Sequence, residues 1–221
     1  HEQLGGYALE ERQPLMREVN GHAFIAMPPP SSGGVTMLQI IMILESLSYP
    51  FDQPAMSMDK AHLLAEASKH AFADRSRYIA DPNFIDVPIE DLLDLSIIHE
   101  RAQLVTDEVH PPSYYGTPNL IPTDGGTSHA SIVDPFGGAV AMTETINLSF
   151  GSLVGVDAFG FVLNNEMDDF TTRRGQPNAF GLVQSDRNLP MPGKRPLSSM
   201  SPTIVLDMEG DVAAIAGRKE E

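Results

Sequence analysis

Apolar positions along the chain follow two different rhythms, and the change falls near residue 126. Before it, the apolar stretches read as helices. VTMLQIIMILESL (35–47) is apolar nearly all round, the pattern of a helix buried on most of its sides. SMDKAHLLAEASKHAFADRSRYI (57–79) is the longest helical stretch, rich in good helix formers, with Ser57 placed to cap it. VPIEDLLDLSIIHERAQLV (87–105) predicts one or two more helices. Ahead of them, GHAFIAMPPP (21–30) reads as a short strand stopped by three prolines, which cannot continue a ladder. SSGG (31–34) then reads as a flexible loop.

After residue 126 the period shortens to two. SHASIVD and AVAMTETIN flank DPFGG, a hairpin signature. GFVLNN (160–165) predicts a third strand, and TIVLDMEGDVAAIA (203–216) a second hairpin turning at Glu209-Gly210. Between these lies TTRRGQPNAFGLVQSDRNLPMPGKRP (171–196), long, polar and rich in Pro and Gly; loops of that length are usually lids or disordered. At the junction of the two rhythms, HPPSYYGTPNLIPTDGG (110–126) holds four prolines and three glycines and predicts an exposed, cleavable linker. The expected organisation is therefore a mostly helical part, 1–126, and a mostly β part, 127–221. The chain shows no internal repeat.

Composition narrows the function classes. Apolar residues make up 42% and charged residues 20%, which suits a globular protein and argues against disorder. The formal net charge of −16, from 14 Lys+Arg against 30 Asp+Glu, repels phosphate backbones, so no nucleic-acid partner is expected. With no cysteine, disulfides, thiolate catalysis and zinc–thiolate sites are excluded. No run reaches the roughly 18 apolar residues of a membrane span, and HEQLGGYALEER at the start has neither the basic nor the apolar region of a signal peptide.

Four features carry candidate chemistry. His62, Glu66 and His70 recur at spacing four, on one helix face; a metal site is conceivable there, but no third strong ligand is specified and a solvated polar stripe is the preferred reading. Asp168-Asp169 could hold a cation or an amine, or be a surface pair. Ser198-Ser199 could bind an anion through hydroxyl and backbone donors, or be a polar turn. Thr127, behind two glycines, could be an ordinary strand-entry residue. It could also be a nucleophile whose own α-amine serves as base, which requires cutting the Gly126–Thr127 bond.

Several long motifs, in order, resolve these alternatives together. MPPPSSGG (27–34), HLLAEASKHAFADRSRYIADP (62–82), TSHASIVD (127–134), TETINLSFGS (143–152), LNNEMDDF (163–170) and PGKRPLSSMSPTIV (192–205) resemble the γ-glutamyltranspeptidase family of N-terminal-nucleophile hydrolases, from about residue 4 to Gly217. The resemblance implies an α+β fold, the four-layer αββα sandwich, only partly represented in this chain. It implies autocleavage between Gly126 and Thr127, giving the end of a large subunit (1–126) and the start of a small one (127–221). Thr127 would be the nucleophile and Thr145 the residue that orients it. Asn147, Glu166 and Asp169 would accept hydrogen bonds from the substrate's α-ammonium, and Ser198 and Ser199 would donate to its α-carboxylate. At the position of Glu166 some members carry Gln. Stretch 171–185 resembles a lid loop, with Phe180 where certain members have Tyr.

The implied reaction is γ-glutamyl hydrolysis or transfer from glutathione and related amides to water, an amino acid or a dipeptide, with no metal or organic cofactor. A periplasmic or extracellular location is likewise implied. The resemblance also implies an α-carboxylate-clamping arginine upstream of residue 1, and a Gly-Gly oxyanion hole where this chain reads Arg218-Lys219-Glu220-Glu221. On those two departures the expectation is a chain truncated at both ends. They motivate a second reading, a catalytically inactive remnant with a binding or structural role. A cephalosporin-acylase-like amidase is a third, less suited to the zwitterion-binding LSSMSP and NNEMDD motifs.

Overall fold

The computed structural model describes residues 8–52, 57–115, 127–178, 181 and 183–217. The chain opens with an antiparallel pair, β1 (Leu15–Val19) and β2 (His22–Ala26), turned by Asn20-Gly21, both at positive φ (48° and 73°). Sequence reasoning had placed β2 but not β1. LMREV lacks clean alternation, and the Asn-Gly turn, which favours both central residues at φ > 0, is the signal that could have found it.

Next comes α1 (Gly33–Ser46), beginning two residues ahead of the predicted start, inside the glycine pair. It is buried along most of its length, as its apolar run predicted: Val35, Leu38, Met42, Ile43 and Leu44 join the core with Leu15, Val19 and Ala26 of β1 and β2. α2 (Met58–Tyr78) is capped as expected, the Ser57 hydroxyl accepting from the Lys60 N–H at 3.2 Å. The 87–105 stretch forms two helices, α3 (Ile89–Leu92) and α4 (Leu95–Leu104), and a single-turn helix α5 (Pro112–Tyr115) follows. Gly126, the last residue before the expected cut, lies outside the described residues, as do Phe180 and residues 218–221.

From residue 127 the structure is β. β3 (Thr127–Val133) and β4 (Ala139–Thr145) form the predicted hairpin. The third strand is shorter than expected: β6 (Phe161–Val162) pairs with β5 (Gly155–Val156) in a two-residue ladder. The second hairpin is β7 (Thr203–Leu206) and β8 (Val212–Ala216). Its β7 pairs with β2, so one four-stranded sheet, ordered β1-β2-β7-β8, draws two strands from each side of residue 126.

That sheet separates two layers. Leu15, Val19, Phe24 and Ala26 pack with α1 on one face. Ile25 and Ile204, pointing to the other face, line a cavity with Ala141 of β4, placing the β3–β4 hairpin there. Helices, sheet and hairpin thus occupy three successive layers of the expected αββα order.

Candidate active site

The register of the first hairpin sets the site. Seven residues of β3 pair with seven of β4, and at its open end Thr127 stands directly across from Thr145. Directly opposed residues put Cβ atoms about 5 Å apart, and the Thr127 hydroxyl donates to the Thr145 hydroxyl at 3.1 Å. Thr145 also accepts from the backbone N–H of Asn147 at 2.8 Å. Its oxygen is therefore fixed between two donors, one of them the side chain it faces.

Asn147 turns the chain away from the hairpin at φ 76°, a region asparagine tolerates better than most residues, and is completely buried. Its amide donates to the Asn165 carbonyl at 3.1 Å and makes a longer contact, 3.5 Å, with Asp169 Oδ1. The backbone of Leu148 in turn donates to Asn165 Oδ1 at 3.0 Å, so the 147–148 and 164–165 segments are cross-bonded. A 3₁₀ turn, Glu166–Asp169, begins just after this junction and sets three carboxylates, those of Glu166, Asp168 and Asp169, on one short element. Asp169 is buried, and Glu166 is held through its backbone N–H, which donates to Asn164 Oδ1 at 3.0 Å.

The connection onward runs through a residue that sequence reasoning did not single out. Asn188, also completely buried, ends a second 3₁₀ turn (Asp186–Asn188). Its Nδ2 donates to the Asp169 carbonyl at 2.6 Å and its Oδ1 accepts from the Leu197 N–H at 3.1 Å. Leu197 is buried next to Ser198 and Ser199. One amide thus ties the acidic turn to the serine pair. Within the stretch 171–196, residues 172–177 are exposed, as a lid would be, while Thr171, Gln184, Asn188 and Lys194 are buried.

The serine pair is held from its other side by the first half of the chain. Ser32 donates to the Ser198 carbonyl through both its N–H and its hydroxyl, each at 2.8 Å, and the Ser31 hydroxyl donates to the Met200 carbonyl. The approach is close enough that a Cβ on Gly33 would meet the Met200 carbonyl oxygen at 2.5 Å, which explains glycine at that position. Arg75, in the last turn of α2 and only 2% exposed, donates from Nε to the Ser32 hydroxyl at 2.8 Å and from Nη2 to the Ser199 hydroxyl at 2.7 Å. Sequence alone reads Ser31, Ser32 and Arg75 as loop and helix, because their partners lie 43 to 169 residues away.

His62, Glu66 and His70 take local roles. His62 Nε2 lies 2.6 Å from the Thr106 carbonyl, and Glu66 accepts from Lys69 at 2.6 Å and from the Tyr115 hydroxyl. Burial alone would raise the Glu66 carboxyl, but those two bonds outweigh it and hold it below its ordinary value. His70 packs edge-on against Tyr115, ring centres 4.9 Å apart, and burial first, then Arg101, lowers its pKa.

A threonine facing a second threonine, an acidic turn and a hydroxyl pair are thus tied by one network. A model of the family described as gamma-glutamyltranspeptidase matches residues 1–219. The chain is 42% identical over 210 residues to the glutathione hydrolase proenzyme of Escherichia coli (strain K12), covering 93% of this chain and 36% of that protein. It is 42% identical over 218 residues to the glutathione hydrolase proenzyme of Pseudomonas aeruginosa, covering 98% and 39%. The chain therefore spans little more than a third of the length of these curated relatives. Cephalosporin acylase from Bacillus halodurans shares the fold, with a TM-score of 0.73 at 23% identity over 95% of this chain and 35% of that one. With the family model matched almost end to end, this chain belongs to the gamma-glutamyltranspeptidase family.

Proposed function

We propose that this chain carries the nucleophile and the substrate-end pocket of a γ-glutamyl hydrolase and transpeptidase. The observation that carries the reading is the in-register pair of Thr127 and Thr145, their hydroxyls 3.1 Å apart, at the boundary between the two parts of the chain. The relatives' designation as glutathione hydrolase proenzymes supports it.

Cleavage of the Gly126–Thr127 bond leaves Thr127 with a free α-amine, and the chain becomes a large-subunit piece and a small-subunit piece. Thr127 Oγ then attacks the γ-carbonyl of a γ-glutamyl amide such as glutathione, its proton passing to the α-amine. Thr145, anchored by the Asn147 N–H, fixes the Thr127 side chain during attack. The proton returns to the leaving amine, and a γ-glutamyl ester remains on Thr127. Water releases glutamate; the amine of an amino acid or dipeptide takes the acyl group instead.

The glutamyl end is a zwitterion and needs partners of both signs once desolvated. Asn147, Glu166 and Asp169 supply acceptors for the ammonium, and Ser198 and Ser199 supply donors for the carboxylate. Among the described residues, no helix is long and apolar enough to cross a membrane. A periplasmic or extracellular location follows from the family resemblance.

The test is intact mass after incubation at neutral pH, with Thr127→Ala alongside. Two pieces meeting at Gly126–Thr127, absent from the variant, are the expected result, together with release of p-nitroaniline from γ-glutamyl-p-nitroanilide. A single uncut mass in the parent would refute the nucleophile assignment.

A further inference from the structure

We propose that Arg75 is a positioning residue for the carboxylate end of the substrate: through the Ser199 hydroxyl it makes the pocket select an anion over a neutral group. The inference rests on the γ-glutamyl reading above and names how that site would recognise one end of its ligand.

The argument is one of proton direction. A guanidinium has N–H donors and no acceptor, whereas a serine hydroxyl has one proton and two lone pairs. Ser199 must therefore accept from Arg75 Nη2 at 2.7 Å, and its own proton is left to donate elsewhere. Ser198 is set the same way by a backbone group, its hydroxyl accepting from the Met200 N–H at 3.2 Å. Ser32 completes the network: it accepts from Arg75 Nε and donates to the Ser198 carbonyl. Both serine hydroxyls thus accept from the protein, and the proton of each is left to donate to a ligand.

Arg75 also adds charge. It is permanently cationic, buried to 2% exposure, and stands directly behind the Ser199 hydroxyl proposed to meet the carboxylate. A positive charge there strengthens the Ser199 O–H as a donor, and donors to charged acceptors form the stronger hydrogen bonds. A carboxylate gains from this and a carboxamide gains little. Lysine cannot replace it fully, because the two bonds leave from two nitrogens of one planar fork and reach serines from segments that are distant in sequence.

The experiment compares the full chain with Arg75→Gln and Arg75→Lys on two substrates, γ-glutamyl-p-nitroanilide and the same compound with its α-carboxylate converted to carboxamide. The parent is expected to prefer the carboxylate substrate. Arg75→Gln should lower kcat/KM for that substrate on the order of tenfold or more, mainly through KM, and lower it far less for the carboxamide, so the preference collapses. Arg75→Lys should retain an intermediate preference. Equal losses on both substrates in a variant whose circular dichroism matches the parent would show a purely structural role and overturn the proposal. Should Arg75→Gln fail to fold, Arg75→Lys decides: a narrowed preference supports the proposal and an unchanged one overturns it. A parent that turns over neither substrate would overturn the γ-glutamyl reading itself, and this inference with it.

Discussion

Helix α1 and the β3–β4 hairpin lie on opposite faces of one sheet, yet they are held in unlike ways. α1 buries Val35, Leu38 and Ile43 completely, in a core that continues through β1, β2, α2 and α4. The hairpin leaves Ile132, Val133, Val140 and Met142 each more than half exposed, and Phe136 at its tip is 96% exposed. What fixes its Thr127–Thr145 end is a run of directional bonds: Thr127 to Thr145, Asn147 to Thr145 and Asn165, Asn188 to Asp169 and Leu197. Apolar burial sets how firmly an element is held but is indifferent to small rotations. Hydrogen bonds contribute less net energy apiece and specify an atom's position. The proposed chemistry falls where position matters more.

This contrast orders the expected effects of substitution. Ile43→Ala should be the most damaging to stability, removing a fully buried side chain from α1 at a cost of about 2–5 kcal/mol, with Tm lower by on the order of 10 °C in a calorimetric scan. Asn188→Ala should come next. It strands the buried Asp169 carbonyl and Leu197 N–H, for a loss of about 1–3 kcal/mol by urea titration, and should depress kcat/KM more than Ile43→Ala does when both are assayed well below their midpoints. A rate untouched in Asn188→Ala would break the claim that polar bonds position the site.

A pH titration probes the Tyr115 anchor, where Glu66 and His70 both have folded-state pKa values below the ordinary ones. Groups lowered on folding add stability that is complete above their unfolded values and lost as pH falls. The urea midpoint should therefore decline below pH 6.5, where unfolded His70 takes up a proton, and again below 4.5 for Glu66. His70→Gln should flatten the first step. Smallest of all, Phe136→Ser at the exposed hairpin tip should move stability by less than about 0.5 kcal/mol; a larger loss would mean that the hairpin relies on apolar contact after all.

The same division explains what could be read from the sequence. α1 announces itself as a continuous apolar run, and the hairpin as alternation around DPFGG, because local period encodes burial. Thr127 and Thr145 are separated by the hairpin alone, so their pairing follows from local pattern. Arg75 and Ser199 are 124 residues apart, and nothing around either hints at the other. Asn188 lay in a stretch read as a lid because it is polar. Its side chain, like the buried Lys194 ammonium that donates to the Leu189 carbonyl at 3.0 Å, satisfies backbone groups inside the protein, which composition cannot distinguish from satisfying water. The substrate roles expected of Glu166, Asp169, Ser198 and Ser199 rest on the resemblance of whole motifs, since Asp168-Asp169 alone fits a surface pair and Ser198-Ser199 alone a polar turn.

The ladder between β2 and β7 has a consequence for a chain severed before Thr127. Ala23–Ala26 and Thr203–Leu206 lie on opposite sides of that bond, and Ser32 to Ser198, Arg75 to Ser199 and Asp81 to the Arg195 N–H cross it too. A cut before Thr127 would therefore leave all of these bonds in place. Its thermodynamic effect falls on the unfolded state, which now consists of two molecules free to diffuse apart. Unfolding becomes dissociation, and the midpoint of denaturation should rise with protein concentration in the processed form while staying constant in the unprocessed one.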